Sequence, residues 1–204
     1  MTGSPKSNKP GAMVLYATRY VSPRSRPLTE DEKVIRQVAY DLKIPTPAAI
    51  AIAAPLMAAL LDRGPCWLIP VPASSGSTDA NLTICRAMKH LIPEARIVVG
   101  IRRMRPVESS CARRRRGWLG LSVDQHVFMR CCGPLLRLPV WFVDNVVTTG
   151  ATLRAAHLAF GTGGGVVFAD ASSYALIRLG RIDPGHLGPC DQHRNGLEPN
   201  LPDG

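Results

Sequence analysis

Hydrophobic and polar positions divide the chain into a short extended start, two helical stretches and then an alternation of strands and helices. Val34, Ile35, Val38 and Leu42 recur at helical spacing behind Thr29, and Glu30, Asp31 and Glu32 follow that residue. A hydroxyl N-cap followed by carboxylates in the first turn predicts a helix over 30–43. A second helical region is expected over 46–62. It is Ala-rich, carries Pro47 and Pro55, and is read as a helix pair restarted at Pro55. Downstream, buried strands are expected over 67–71, 95–101, 140–143 and 165–169. Helices are expected over 77–91, with Leu82, Ile84, Cys85, Met88 and Leu91 as the apolar face, and over 151–160. Short apolar runs separated by helices are the pattern of a parallel sheet covered on both faces. The expected fold class is therefore α/β, with about five parallel strands flanked by helices.

Four regions are expected. Residues 1–28 read as a mobile N-terminal arm, within which 13–21 is a short strand or an extended segment. Residues 29–64 form a helical region, 65–177 an α/β domain, and 178–204 a flexible tail rich in Pro, Gly, Asp and Asn. Residues 102–123 break the rhythm. They hold Arg102, Arg103, Arg105 and Arg113 to Arg116, with Glu108 as the one acid, and no periodicity. Seven Arg are not buried without partners, so a long, mobile, basic loop over the site is expected.

Charge sharpens the picture. The 204 residues carry 25 Lys+Arg against 15 Asp+Glu, a net charge of +10, and 20 of the 25 are Arg. Guanidinium forks bind phosphate in bidentate fashion, so a phosphate-bearing partner is expected. No CxxC pair occurs, and His186, Cys190 and His193 lie in the Pro/Gly tail without a fourth ligand, so no metal site is read in the chain. No export signal is found. The uncharged run 44–61 is Ala-rich and holds three Pro, which argues against a membrane span. A cytoplasmic protein with no membrane partner is expected.

The stretch 141–153, WFVDNVVTTGATL, carries the chemistry. An apolar strand runs into a carboxylate, then a small-residue turn, then a helix start. Asp144 would stand at the carboxyl end of a buried strand, where α/β sheets place ligands, and could accept from vicinal ribose hydroxyls. The turn Thr148, Thr149, Gly150, Ala151 and Thr152 would offer hydroxyls and backbone N–H groups at a helix N-terminus, which favours a phosphate dianion.

At these residues the chain resembles the type I phosphoribosyltransferases, and looks closest to their ComF-like branch, which is known for roles in DNA uptake. The order of parts over roughly 65–172 resembles the family too: Ile69-Pro70-Val71-Pro72, a helix, a strand, an Arg-rich loop, then the signature. The resemblance implies a five-stranded parallel sheet under a mobile hood, and phosphoribosyl pyrophosphate (PRPP) with Mg²⁺ as ligands. It implies that Asp144 and Asn145 hold the ribose hydroxyls and that Thr148 to Thr152 hold the 5′-phosphate. It gives pyrophosphate to Ala73, Ser74, Ser75 and Gly76, with Arg102 and Arg103. The expected activity is transfer of ribose 5-phosphate to an unidentified acceptor, releasing pyrophosphate. The alternative is a ComF-like nucleic-acid accessory protein that binds single strands and keeps a non-catalytic PRPP-type pocket. A homodimer is left open. The chain departs from the family in four places. Asn145 replaces the second acid, and no Lys or Arg lies between Ala73 and Cys85. Thr148 stands where enzymes for 6-oxopurines carry Asp, and the Cys-rich N-terminal module of many ComF-like proteins is missing.

Overall fold

The computed structural model describes residues 13–21, 26–109, 112–113, 116–118 and 120–172. Among them are seven strands and four α-helices: β1 (Val14–Arg19), α1 (Glu30–Asp41), α2 (Pro47–Ala58), β2 (Trp67–Pro70), α3 (Asp79–Leu91), β3 (Arg96–Ile97), β4 (Ile101–Arg103), β5 (Phe128–Arg130), β6 (Val140–Val147), α4 (Ala151–Phe160) and β7 (Gly164–Asp170). Five strands form one parallel sheet in the order β1-β7-β6-β2-β3, and β4 and β5 form a separate antiparallel pair. The protein is α/β, with a five-stranded parallel sheet flanked by helices.

Alternation along the strands assigns the two faces. Leu68, Val143, Val166 and Phe168 pack with residues of α1, α2 and α3. Their neighbours Ile69, Phe142 and Val167 pack with Leu153, Ala156 and Phe160 of α4 and with Ile101 of β4. The β4–β5 pair thus sits on the same side of the sheet as α4.

Local signals explain the helix starts. In α1, Thr29 and Glu32 close a reciprocal capping box. In α2, Thr46 caps through Ala49 N–H and Pro47 occupies the first turn, where its missing N–H costs nothing. The restart expected at Pro55 is not found: one helix runs through it. Pro55 is on the exposed side, so the carbonyl it leaves unbonded can face water.

Several other expectations are corrected. The arm 1–28 is not an appendage over 14–19, because β1 pairs with β7 as the edge of the main sheet. The helical region 29–64 shares its core with that sheet, Leu42, Ala53 and Met57 packing with Val166 and Phe168. The single strand expected over 95–101 is broken. Only Arg96 and Ile97 pair with β2, and the chain then leaves the sheet through residues 98–100 to form β4. A Cβ on Gly100 would meet Phe160 at 3.0 Å and Cys132 at 3.2 Å, so this turn-off passes tightly over α4. The segment 102–123 is not one long free loop: Arg102 and Arg103 belong to β4, and Val107 N–H donates to Ser74 O at 2.9 Å. On α3, Leu91 is exposed and the polar Asn81 takes a buried position instead. The tail 178–204, with His186, Cys190 and His193, lies outside the described residues. No helix among the described residues is long and apolar enough to cross a membrane.

Candidate functional site

Strand order locates the site. From β2 the chain crosses through α3 to β3 on one side, then returns through the β4–β5 pair to β6 on the other. The reversal falls between β2 and β6, and at such switch points the loops diverge and leave a crevice at the carboxyl ends of the strands. Pairing of β6 with β2 stops at Val143, while pairing with β7 continues to Val147. Asp144 is therefore not the end of its strand, as expected. It stands one residue past the point where β6 loses its β2 neighbour.

Asp144 is held by one oxygen. Its Oδ1 accepts from Asn145 N–H at 2.8 Å and from the Asn81 amide at 3.2 Å. Its Oδ2 accepts from none of the described residues and is not among their buried, unpartnered atoms. One oxygen is fixed by the protein and the other is open. Burial pushes the carboxyl up to about 6, against the opposing pull of Asn145 N–H, the Asn81 amide and the Arg103 charge. Asn145 turns its own Oδ1 onto Val146 N–H at 2.8 Å.

Two turns flank this carboxylate. After β2, Ala73 to Gly76 form a tight turn in which Gly76 N–H donates to Ala73 O at 3.0 Å and Ala73 N–H to Ser77 O at 2.8 Å. Gly76 adopts φ +98°, a conformation that excludes most side chains. Ser74 and Ser75 N–H meet no acceptor among the described residues. After β6, Gly150 adopts φ +71° and opens α4. Ala151 N–H leans on Thr149 Oγ1 at 3.4 Å, and Arg154 braces Thr149 O at 3.1 Å. The N–H groups of Thr149, Gly150, Thr152 and Leu153 are left without acceptors among the described residues, a row of donors at the positive end of the helix.

The β4–β5 pair ties these parts together through Arg103. Its Nε donates to Ala73 O at 2.9 Å and its Nη2 to Pro72 O at 3.3 Å. Its Nη1 meets His126 Nδ1 at 3.2 Å, and the guanidinium lies 4.4 Å from the centre of the Phe128 ring. A guanidinium only donates, so His126 Nδ1 is the acceptor and the ring proton sits on Nε2. That Nε2 lies 3.5 Å from Thr152 Oγ1. Burial, then the Arg103 charge, lowers His126 to about 4. The ring is therefore expected to stay neutral from about pH 5 to 8, and its NMR titration should show a midpoint near 4. A midpoint near the ordinary value of about 6.5 would contradict this geometry.

The structure thus brings Asp144, Asn145, the turn 73–76 and the turn 148–152 to one end of the sheet. Arg103 is placed there too, but it is spent on two carbonyls and a histidine. Arg102, the next residue on β4, is exposed and bonds none of the described residues through its side chain. Two residues were missed. Asn81 had a visible signal: it falls three and four positions before Ile84 and Cys85, on a face that is otherwise buried. His126 had none, since only tertiary packing brings it to Arg103. The described residues contain no cluster of three His, Cys, Asp or Glu fit for a protein-held metal. A hollow of about 430 Å³ lined by Arg130, Cys132 and Leu135 shares no residue with this site, and the Arg130 guanidinium is spent on the Cys132, Gly133 and Phe160 carbonyls. No protein-family model, curated protein or solved structure matches the chain.

Proposed function

We propose that the chain binds PRPP and transfers its ribose 5-phosphate to an acceptor nucleophile, releasing pyrophosphate. One observation carries the reading: a carboxylate with a single open oxygen stands between two glycine turns that present unpaired N–H groups. Asp144 Oδ2 would accept from the ribose hydroxyls. The N–H row from Thr149 to Leu153, with the Thr152 hydroxyl, would hold the 5′-phosphate. Ser74 and Ser75 N–H would face the pyrophosphate, and Arg102 and Arg103 would add positive potential beside it. Mg²⁺ arriving with PRPP would neutralise diphosphate oxygens.

In the transfer, the bond from the anomeric carbon to pyrophosphate breaks and its electron pair leaves with the diphosphate. The acceptor's lone pair forms the new bond, and the acceptor's proton passes to solvent. The protein's part is positioning and stabilisation of the departing charge. Val107 ties the chain after β4 to the Ser74 carbonyl, beside the first of these turns.

A second reading has its own observation. Trp118 is half exposed, with Arg113 and Arg116 over its ring at 5.5 and 5.3 Å. A cationic aromatic patch suits single-stranded nucleic acid. The two readings separate in one experiment. Wild-type protein with PRPP, Mg²⁺ and a panel of amine and base acceptors is expected to release pyrophosphate above the protein-free rate. Release indistinguishable from that rate, with oligonucleotide binding that falls steeply with salt, would favour the second reading.

A further inference from the structure

We propose that Asn81 is a positioning residue for Asp144, clamping one carboxylate oxygen so that the other faces the hydroxyls of a bound sugar phosphate. The inference rests on the sugar-phosphate reading above. Asn81 lies in the first turn of α3 and is only 6% exposed. Its amide nitrogen spends both hydrogens, one on Val71 O at 2.8 Å and one on Asp144 Oδ1 at 3.2 Å. Val71 itself donates to Val143 O at 3.0 Å, so the clamp joins the end of β2 to β6 where the two strands part.

The amide can take only this orientation. Turned by about 180°, its oxygen would face two acceptors. In the orientation it takes, Asn81 Oδ1 is buried with no donor among the described residues. An unpaired buried acceptor costs stability and offsets what the two donated bonds contribute to the fold. Fold stability therefore does not explain an asparagine at this position. Placement of the carboxylate does. With the Asn81 and Asn145 donors both on Oδ1, rotation of the carboxylate is blocked and Oδ2 is kept open. The groups that face Asp144 are Asn81 from α3, Asn145 N–H from its own strand and the Arg103 charge from β4. His126, beside Arg103, is neutral in the working range.

The test compares the wild type with Asn81→Leu, which keeps the branched heavy-atom skeleton and removes both donors, and with Asn81→Asp, which turns a donor into a carboxyl. Carbon-13 NMR of labelled Asp carboxyls reads the titration of Asp144 directly, and calorimetry reads ribose 5-phosphate binding. In Asn81→Leu the Asp144 midpoint is expected to rise by roughly 0.5–1 pH unit. Affinity at about pH 8, where Asp144 is ionised in both proteins, should fall about tenfold, and thermal stability at that pH should fall modestly, because the folded carboxyl then sits further above its unfolded value. In Asn81→Asp the midpoint should rise further, because two carboxyls share one site. A midpoint that does not move, or wild-type affinity in Asn81→Leu, overturns the inference. So does a parallel loss of stability and affinity with the midpoint unchanged, which is the mark of a purely structural residue. If the wild type itself binds no ribose 5-phosphate, the sugar-phosphate reading falls and this inference with it.

Discussion

Replacing Asp144 with asparagine is expected to stabilise the protein at pH 7 while weakening sugar-phosphate binding. The folded carboxyl sits at about 6, above the 3.8 of an ordinary Asp. The folded state therefore holds its proton more tightly than the unfolded state does. Between about pH 4 and 6 the native chain binds the extra proton, and stability falls as pH rises through that window. Above it the penalty is complete, at about 3 kcal/mol for a carboxyl displaced this far. The substituted amide carries no charge to desolvate, and its oxygen can still accept from Asn81 and Asn145. Urea unfolding should show the two proteins equal below about pH 4 and separating up to pH 7, the variant being the more stable by about 2–3 kcal/mol. Binding should move the other way, because loss of a charge-assisted bond costs roughly tenfold to a hundredfold. Stability given up for an ionised group in a crevice is the pattern of a functional site. A variant no more stable at pH 7 than at pH 4, relative to the wild type, would contradict the burial of this carboxylate.

Gly163→Ala is expected to destabilise the fold by about 2–5 kcal/mol, the sum of backbone strain and overpacking. Gly163 joins α4 to β7 at φ +111°, where an L side chain is strained. A Cβ there would meet the Phe142 ring at 2.8 Å and Val140 at 2.9 Å. Neither neighbour yields cheaply. Phe142 is fully buried and lies edge-on to Phe160, 5.8 Å between ring centres. Against a total of about 5–15 kcal/mol for a domain, this is a large fraction. Thermal unfolding should register it as a drop of several degrees or more, and a change within one degree would contradict the packing. Phe142 is two residues before Asp144 on β6, so the same substitution should also weaken ligand binding.

What could be read in the sequence follows the range of the interactions. Thr29 with Glu32, Thr46 with Pro47, and the apolar runs of β2, β6 and β7 act within a few residues, and those elements are found where they were expected. The grouping of Asp144 with Thr148 to Thr152 is local too, and a strand–turn–helix joint brings those residues to one place. The remainder depends on distant partners. Residues 95–101 read as one apolar strand, yet pairing with β2 ends at Ile97, and the chain passes close to Phe160 and Cys132 at Gly100 on its way into β4. Strand β5 has three residues, too few for a period, and exists because β4 pairs with it. Residues 14–19 look like an arm until β7 offers an edge. Arg103 is one of seven similar Arg in its segment, and only the folded chain places it against Ala73, Pro72 and His126.

The most direct test of the account is calorimetric titration of the wild-type protein and of Asp144→Asn with PRPP in the presence of Mg²⁺ at about pH 8, where Asp144 is ionised. Saturable binding at one site in the wild type, at least about tenfold weaker in a variant that is folded and more stable, is the predicted result. Equal affinity in the two proteins, or no heat of binding in either, would contradict the assignment of this crevice to a sugar phosphate.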